Sequence, residues 1–412
     1  MVSRRGLLGR LAVAASSAGF AGCSRILARS AGDPGVEGLP ANPRADELPV
    51  RQYAQSATLT TDDDGNTVPP RYRRLLLLDL DEEPSLQAEQ VVERAMRTLE
   101  AAYDWSPEGL FHALGWGTAY FDRLGELSAA PISEPEVLSR TDDPALLGFD
   151  AVLVLASDVP SHLSAVEHAM FGAGDDLNGE SIDGDNALGE VFSVSERRTG
   201  FVGEGLPAEH ADAEGVPGDA LSPEDTEFMG FFSDRDGTQA SEGRVAVRDG
   251  QFADGTTMHL SHLRLDLETW YDAFDEAGRV ARMFSPEFSP EDVSGFGTEV
   301  PFSDAVQEHA ADFDVVGHQE KVAQTRRDGE PVILRRDFNT VDGGRPGVHF
   351  MSFQRSLADF RSTRKAMNGW YVRDDSEAIT DRENNGILDF VTVTSRANFY
   401  VPPRNRRSFP MR

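Results

Sequence analysis

The feature that most constrains the fold is an apolar run of strand length, RLLLLDLD, which begins directly after Arg73. A continuous run of this kind predicts a β-strand whose two faces are both buried. Ser85 follows it, in position to cap a helix whose apolar residues recur at intervals of three and four as far as Tyr103. We therefore expect the folded part of the chain to begin at Arg73 with a strand followed by a helix.

The alternation of strands and helices continues along the chain. The first half has further predicted strands at Gly109–Gly117, Asp150–Ser157 and Val191–Arg197, and a second helix at Ser161–Phe171. The order strand–helix–strand–strand–helix–strand is that of a ferredoxin-like unit. The second half repeats this order, with strands at Met258–Leu267, Val332–Arg336, Val348–Phe353 and Phe390–Val401 and helices at Glu268–Met283 and Ser356–Met367.

This order predicts an α+β fold made of duplicated ferredoxin-like (βαββαβ) domains with antiparallel sheets. The first domain is expected to span residues 71–202 and the second residues 228–405. Between them, residues 203–227 are acidic and rich in proline, which predicts a surface loop. Residues 24–70 are polar, with proline, glycine and aspartate throughout, and are expected to form a largely disordered tether.

Residues 1–23 have the pattern of an export signal. A twin-arginine segment, SRRGLL, begins at Ser3 and precedes an apolar region that is too short to span a bilayer well. The signal ends in FAGC at residues 20–23, which is similar to the lipobox of bacterial and archaeal lipoproteins. We predict export by the twin-arginine pathway and attachment to the extracellular face of the cell membrane through lipid on Cys23. The alternative is an incidental cysteine in an ordinary signal peptide.

The charge of the chain excludes one class of partner. The net charge is −31, whereas binding to nucleic-acid phosphates requires a basic surface. Only two lysines occur, Lys321 and Lys365, against 37 arginines. An excess of acidic residues with almost no lysine is typical of halophilic archaea, where concentrated salt screens the repulsion between carboxylates. The acidic bias therefore indicates habitat and not substrate.

The histidines and the single cysteine limit the kinds of metal site that the chain can form. Cys23 is the only cysteine, so the chain has no internal disulfide and no thiol nucleophile in its folded part. No pair of the nine histidines has the HExxH spacing, so a tetrahedral zinc site is not expected. His318 differs from the others because it lies in a glycine-flanked turn 17 residues before Arg335, which is on a predicted strand. These two residues are candidates for two walls of one pocket.

Five blocks of sequence carry a resemblance to a known family. They are GLFHALGWGTAYFDRLG, FMGFFSDRDGTQ, HQEKVAQTR with VILRRDFN, HFMSFQRSLADFRSTRKAMNG and LDFVTVTSRANFYVPP. In this order and spacing, the chain from Arg73 to Pro403 resembles the dye-decolourising (DyP-type) haem peroxidases. The resemblance implies two ferredoxin-like domains, a haem b cofactor and a haem pocket in the second half of the chain.

The resemblance implies a role for His318 as the proximal ligand of the haem iron. A neutral imidazole nitrogen binds iron, and the other ring nitrogen needs an acceptor that raises the basicity of the ligand. Asp389, at the start of the last strand, matches the family position of that acceptor. For Asp389, a residue that caps the entry to a strand remains the alternative.

The resemblance also implies two catalytic residues on the distal side of the haem. Arg335 would stabilise negative charge as the O–O bond of the peroxide breaks, and Arg336 would face the other side of its strand. The register of the strand, and so which of the two arginines faces the pocket, is left open. Asp236, with Asp234 as the alternative, matches the distal aspartate of the family's GxxDG motif, which moves the peroxide proton. Here serine replaces the first glycine, in Ser233–Gly237, so the position of the carboxylate over the haem is left open.

Three functions are compatible with these observations. The first is a peroxidase that reduces hydrogen peroxide and oxidises a small organic donor. The second is a surface lipoprotein that binds haem without efficient turnover, and the third is a deferrochelatase-like release of iron from haem. Homo-oligomers occur in the family that the chain resembles, although nothing in the residues establishes one.

Overall fold

A computed structural model of the chain describes Arg44 and residues 46–301, 305–380 and 382–412. The predicted export signal with Cys23, and residues 24–43 of the predicted tether, lie outside the described residues. Within the described ranges, no helix combines the length and the apolar character that crossing a membrane requires.

The described chain forms twelve strands and ten α-helices. The strands are β1 (Tyr72–Leu80), β2 (Phe111–Gly117), β3 (Ala145–Leu146), β4 (Ala151–Ser157), β5 (Asp176–Leu177), β6 (Glu180–Ser181), β7 (Phe192–Phe201), β8 (Thr256–Leu265), β9 (Ile333–Arg335), β10 (Phe338–Thr340), β11 (Gly347–Gln354) and β12 (Val391–Val401). The helices are α1 (Leu86–Ala102), α2 (Thr118–Arg123), α3 (Pro160–Phe171), α4 (Leu206–Glu209), α5 (Leu267–Ala273), α6 (Glu276–Met283), α7 (Pro290–Ser294), α8 (Val306–Phe313), α9 (His318–Ala323) and α10 (Leu357–Met367).

All eight strands predicted from the sequence are present, as β1, β2, β4, β7, β8, β9, β11 and β12. The prediction of one helix over residues 268–283 is wrong, because the chain is extended at Phe274 between α5 and α6. Asp275 then caps α6 by accepting a hydrogen bond from the backbone of Gly278.

Ten of the strands form one sheet, in the spatial order β10–β7–β1–β4–β2–β12–β8–β11–β9, with β3 paired to β12. All of its pairings are antiparallel except that of β3 with β12. β10 pairs with both β7 and β11, so the sheet closes into a barrel-like form. Strands from both halves of the chain therefore share one sheet, where separate sheets were predicted.

The alternation of side chains along the strands places one apolar set inside the closed sheet. In β1, Leu75 and Leu77 point inward, while Leu76 and Leu78 pack on the outer face. This run is buried on both faces, as the sequence predicted. The inner cluster also takes side chains from the second half of the chain, among them Met258, Leu260, Leu334, Met351, Phe353 and Phe399.

Helices α1 and α3 cover the outer face of the first half. Helix α1 begins after Ser85, whose side chain accepts a hydrogen bond from the backbone of Ala88, as its sequence predicted. Its apolar residues pack with those of α3 and with the outer residues of β1 and β4 in one dense cluster. Burial of this kind contributes roughly 25 cal/mol per Å2 of apolar surface.

Residues 46–70 are not disordered, which corrects the prediction of a tether across residues 24–70. Gln52 is fully buried, and its side chain bonds both the N–H and the carbonyl of Leu114 and also the carbonyl of Pro402. Thr67 bonds Asp236 through its backbone and its hydroxyl. We call residues 46–70 the N-terminal strap, because they are held against the sheet and against the 233–238 loop.

The segment at residues 203–227 is also more than the surface loop that its composition predicted. It contains α4, and Leu206, Val216 and Leu221 are buried in an apolar cluster with Trp270. Three well-spaced apolar residues are enough to anchor an otherwise acidic segment, because each removes its side chain from water.

A buried ionic cluster holds the C-terminal residues against α1. Glu100 contacts Arg404 and Arg407, and Glu93 accepts a hydrogen bond from Nε of Arg407 at 3.0 Å. Burial alone would raise the pKa of Glu100, but the charges of Arg407 and Arg404 outweigh it and hold the pKa well below its usual range.

We expect Glu100→Gln to destabilise the fold by about 3–5 kcal/mol, because it leaves two buried arginines without their shared counter-ion. Denaturant unfolding followed by circular dichroism measures this loss. Glu108→Gln, at an exposed position in the following loop, is the matched control and should unfold as the wild type does. Equal loss in both variants would contradict the role assigned to the cluster.

Candidate functional site

A cavity lies over the outer face of the sheet in the second half of the chain. The face is formed by side chains of β8, β9, β11 and β12, and helices α9 and α10 lie across it. A bulge between Val393 and Ser395 shifts the register of β12 against β8. We call this space the His318 cavity; its lining residues include Ser261, Leu263, Val300, His318, Gln319, Ile333, Arg335, Phe350, Met367 and Val391.

The His318 cavity has two compartments that share several walls, including His318 and Arg335. The basic compartment is also lined by Arg326, Arg364 and Arg396. The acidic compartment is also lined by Glu227 and Asp337.

His318 is the first residue of α9, and its position depends on the glycine before it. A Cβ at Gly317 would lie 1.9 Å from the carbonyl oxygen of Phe284, so no larger residue fits there. The backbone N–H of Gly317 donates to Glu320 at 2.6 Å, which closes the first turn of the helix. The close approach to Phe284 therefore fixes where α9 begins and where His318 enters the cavity.

Lys321 ties the same helix to its neighbours. It is fully buried, and its Nζ donates to the carbonyl of Met367 at the end of α10 and to both oxygens of Asn385. Burial lowers the pKa of Lys321 to about 7. These contacts lock α9 against α10 one turn after His318.

The imidazole of His318 is neutral at pH 7. Burial and the positive charges of Lys321 and Arg335 lower its pKa to about 3. Its Nδ1 is buried and makes no hydrogen bond with any residue in the described ranges. A neutral imidazole is the protonation state that binds a metal ion.

Asp389 does not occupy the position expected for the acceptor of His318. Its side chain is exposed, and it is not among the lining residues of the His318 cavity. The neighbouring residues Leu388 and Phe390 are the ones that are buried. The prediction that Asp389 orients His318 is therefore wrong in this structure, because the entry to β12 directs that carboxylate to solvent.

The arginine pair is divided between two sides of β9, as the alternation of a strand predicts. Arg335 lines both compartments, and its guanidinium donates to the carbonyl of Ser233 and to the hydroxyl of Thr238 at 3.2 Å. Arg336 lies in a separate polar cleft and contacts Glu242 at 3.5 Å. Of the two arginines, Arg335 shares the cavity with His318.

Asp236 lies outside the His318 cavity, in the polar cleft beside Arg336. Its two oxygens accept hydrogen bonds from the backbone and the hydroxyl of Thr67, at 3.1 and 3.0 Å. Its side chain is exposed. The prediction of Asp236 as a distal carboxylate is therefore wrong in this structure, because the N-terminal strap binds it on the other side of the loop.

Asp234, the alternative, is half-buried on the same loop and lines the polar cleft beside Arg336. One of its oxygens accepts a hydrogen bond from Gln239 at 2.7 Å. Burial and the negative charge of Asp337 raise the pKa of Asp234 to about 6, against the opposing charges of Arg335 and Arg336. It belongs to the charged surroundings of Arg335 but, like Asp236, it is not a lining residue of either compartment.

The carboxyl groups that line the cavity are Glu227 and Asp337, and the sequence did not single out either. Burial and the negative charges of Asp234 and Asp337 raise the pKa of Glu227 to about 8. Asp337 is the second residue after Arg335, on the turn into β10. A signal for Glu227 was available only as an acidic residue beside the apolar run FMGFF, in a segment whose composition predicted a loop.

The basic compartment contains a buried cation with spare donors. Arg396 is almost fully buried, and its Nη2 donates to Asp142 at 3.1 Å. Its Nε and Nη1 have no hydrogen-bond partner within the described parts of the chain. Unpaired donors on a buried guanidinium are costly, and a carboxylate in the compartment would satisfy them.

The residues present fit a haem group. Within the described ranges, no three His, Cys, Asp or Glu side chains form a group that could hold a bare metal ion. The cavity instead offers one neutral imidazole, apolar walls such as Leu263 and Phe350, and the unpaired donors of Arg396. These match the iron, the macrocycle and a carboxylate of a haem, respectively.

A comparison with protein families shows which family the chain belongs to. The model of DUF7405, a family of unknown function, matches residues 70–403. The chain belongs to DUF7405. A comparison with curated proteins found no match.

Solved structures show that the fold of this DUF7405 member is that of DyP-type peroxidases. A DyP-type peroxidase from Cellulomonas bogoriensis is 18% identical, with a TM-score of 0.55 over 85% of this chain and 96% of that chain. The encapsulated DyP-type peroxidase from Mycobacterium smegmatis is 16% identical, with a TM-score of 0.53 over 83% and 96%. A DypB variant from Rhodococcus jostii RHA1 in complex with heme is 14% identical, with a TM-score of 0.50 over 86% and 98%. At such low identity, the function must be argued from the site.

The raised pKa of Glu227 predicts a pH dependence of stability. In the folded chain this carboxyl keeps its proton up to about pH 8, whereas the ordinary value is 4.5. The folded state therefore binds more protons between these values, and this contribution to stability is lost as the pH rises from about 5 to about 8.

We expect Glu227→Gln to remove this contribution, so that the free energy of unfolding falls less steeply with pH than in the wild type. Denaturant unfolding at several pH values measures the slope. Glu224→Gln, at an exposed position three residues earlier, should keep the wild-type slope. Identical slopes in all three proteins would show that Glu227 titrates normally.

Proposed function

We propose that this DUF7405 protein is a haem-dependent peroxidase that reduces hydrogen peroxide and oxidises a small organic donor. The observation that carries the proposal is that His318 and Arg335 line one cavity in a fold shared with DyP-type peroxidases. The chain thus offers a neutral imidazole and a fixed cation to the same bound group.

Three features would hold the haem. His318 would supply a nitrogen ligand to the iron, with α9 fixed by Gly317 and by the contacts of Lys321. The apolar walls of the sheet would exclude water from the macrocycle. Arg396 would pair with a carboxylate of the haem, which would satisfy its two unpaired donors.

When bound, haem would supply the two electrons that reduce the peroxide, and the organic donor would restore them. The role of the chain is electrostatic. Arg335 is held by Ser233 and Thr238, so its guanidinium needs no reorganisation when negative charge develops on the oxygen as the O–O bond breaks. Burial would lower the pKa of Arg335, but the charges of Asp337 and Asp234 raise it, so Arg335 stays protonated.

The architecture supports a second part of the proposal, that the chain is a duplicated pair of ferredoxin-like units. In the first half the strands lie in the order β7–β1–β4–β2, and in the second half in the order β12–β8–β11–β9. When the four strands of each unit are numbered in chain order, without the short strands β3, β5, β6 and β10, both spatial orders are fourth–first–third–second. The same order in both halves is what duplication of one βαββαβ unit would produce.

One observation favours a second candidate, a haem-binding surface lipoprotein without efficient turnover. Asp236 is bound by the strap and does not face the His318 cavity. A peroxidase needs a group within direct or single-water reach of the peroxide proton. If no other carboxyl takes that role, the protein would hold haem without efficient reaction with peroxide.

The first experiment tests the haem ligand. We expect wild-type protein reconstituted with haem to show a Soret band, and His318→Ala to lose that band because the described lining residues of the cavity include no other imidazole. Absorbance spectroscopy measures it. His168→Ala, at an exposed position on α3, is the control and should keep the wild-type spectrum. A wild-type spectrum in His318→Ala would exclude His318 as the ligand.

Addition of peroxide to the same samples separates the two candidates. In a peroxidase, Arg335→Leu should keep haem but lower the rate of the peroxide-dependent absorbance change on the order of 100-fold. Arg248→Leu, at an exposed position, is the control. If the wild type binds haem but reacts no faster than free haem, and Arg335→Leu does not differ, the haem-binding lipoprotein is correct.

We further propose that the protein is exported by the twin-arginine pathway of a halophilic archaeon and anchored by lipid on Cys23. The twin-arginine segment from Ser3, the FAGC sequence at residues 20–23 and the net charge of −31 support this. Cys23→Ser should move the protein from the membrane fraction to the medium, as immunoblots of the two fractions would show. Ser30→Ala should stay with the membrane. Membrane retention of Cys23→Ser would exclude the anchor.

A further inference from the structure

We propose that Glu227 is the catalytic acid–base residue of the His318 cavity and takes the role that the motif suggested for Asp236. The proposal rests on the proposed peroxidase function and assigns the proton transfer within it. Glu227 lines the acidic compartment together with His318 and Arg335, whereas Asp236 lies in the polar cleft beside Arg336.

One residue, Ser233, positions both Glu227 and Arg335. The backbone N–H of Ser233 donates to Oε1 of Glu227 at 2.6 Å, and the carbonyl of Ser233 accepts from the guanidinium of Arg335. The carboxyl and the cation are therefore anchored to the same residue of the 233–238 loop. A carboxyl held in this way is already oriented before any substrate enters.

The backbone around Glu227 is fixed by several further contacts. The N–H of Phe228 donates to the side chain of Asn339 at 3.0 Å, and its carbonyl accepts from the hydroxyl of Tyr271 at 3.0 Å. The N–H of Gly230 donates to the carbonyl of Glu227 at 3.0 Å, with Gly230 at φ +79°. The left-handed conformation at this position favours glycine, so Gly230 allows the turn that places Glu227 at the cavity.

The charges that face Glu227 shift its pKa to a value suited to proton transfer. Asp234 on the loop after it and Asp337 on the turn after β9 are negative, while Arg335 on β9 and the neutral His318 on α9 complete the surroundings. Burial and the two aspartates raise the pKa of Glu227 to about 8. A carboxyl whose pKa lies near the working pH can both accept and return a proton.

The two carboxyls of the motif, Asp236 and Asp234, are held by other contacts. Asp236 binds Thr67, and Asp234 accepts from Gln239 at 2.7 Å. Asp337 also lines the acidic compartment, where its charge raises the pKa of Arg335. Glu227 is the lining carboxyl that the backbone of Ser233 orients, and we therefore assign the proton to it.

Glu227 can carry out both proton transfers of the reaction. The Glu227 carboxylate takes the proton of one peroxide oxygen and returns it to the other oxygen as the O–O bond breaks. That second oxygen leaves with the bonding electron pair as water, so Glu227 regains its starting state. The first oxygen is left two electrons short; a bound haem would supply these two electrons, and the organic donor would replace them.

The test compares haem-loaded wild type with Glu227→Gln, whose amide oxygen can still accept from Ser233. We expect Glu227→Gln to keep the Soret band and to react with peroxide on the order of 100-fold more slowly. In the wild type this rate should rise with pH through about 8, as Glu227 loses its proton, and this limb should be absent in the variant. Glu224→Gln, exposed, is the matched control.

A second readout does not depend on turnover. Infrared difference spectra of the haem-loaded protein, recorded across the pH range, should show a protonated carboxyl band that disappears near pH 8. This band should be missing in Glu227→Gln and present in Asp236→Asn and Asp337→Asn. Cyanide binding should also be slower in Glu227→Gln, because the carboxylate that accepts the proton of hydrogen cyanide is gone.

The outcomes separate this inference from the function on which it rests. If wild type binds haem and reacts with peroxide, but Glu227→Gln keeps the wild-type rate and pH profile, the assignment of Glu227 is wrong and the peroxidase stands. Loss of the rate in Asp236→Asn or Asp337→Asn, with Glu227→Gln unaffected, would transfer the role to that aspartate. A wild type that binds no haem, or does not react, overturns both.

Discussion

Closure of the sheet is the constraint on which the site depends. Because β10 pairs with both β7 and β11, side chains from both halves of the chain fill one interior, and only the outer faces need helices to cover them. In the first half, α1 and α3 fill the outer layer with leucine and methionine side chains. In the second half, α9 and α10 lie over a face that carries Ser261 and Leu263, and a cavity remains. The cavity therefore lies between the sheet and these two helices.

The charged groups of this cavity are costly to bury, and they lie together on the walls that a bound ligand would contact. Arg396 keeps unpaired donors, and His318 is neutral with an unpaired Nδ1. Glu227 retains its proton near neutral pH because burial and the neighbouring aspartates raise its pKa. Perturbed groups of this kind concentrate at functional sites, although ionic networks that only support the fold perturb pKa values too. The cluster at Glu100 is such a network, and its carboxylates are matched by arginines.

Two predictions from the sequence failed for one shared reason. Residues 46–70 were expected to be disordered, and Asp236 was expected to face the haem. In the structure, Thr67 of the strap binds Asp236 across a separation of 169 residues. That contact orders the strap and turns the carboxylate away from the cavity. The residue types of the motif are present in the sequence. The direction of the Asp236 side chain, however, depends on Thr67, which is distant in the sequence and which no local pattern reveals.

The sequence alone determined the strands and most of the helices, because apolar alternation and helix caps act between close neighbours. The expectation that His318 and Arg335 share a pocket came from the resemblance of the five sequence blocks. The sequence also placed Arg335 and Arg336 on opposite sides of β9. The tertiary structure decided the closure of the sheet through β10, the exposure of Asp389 and the entry of Glu227 into the cavity. Each of these depends on contacts between distant segments, and such contacts exist only once the layers have packed.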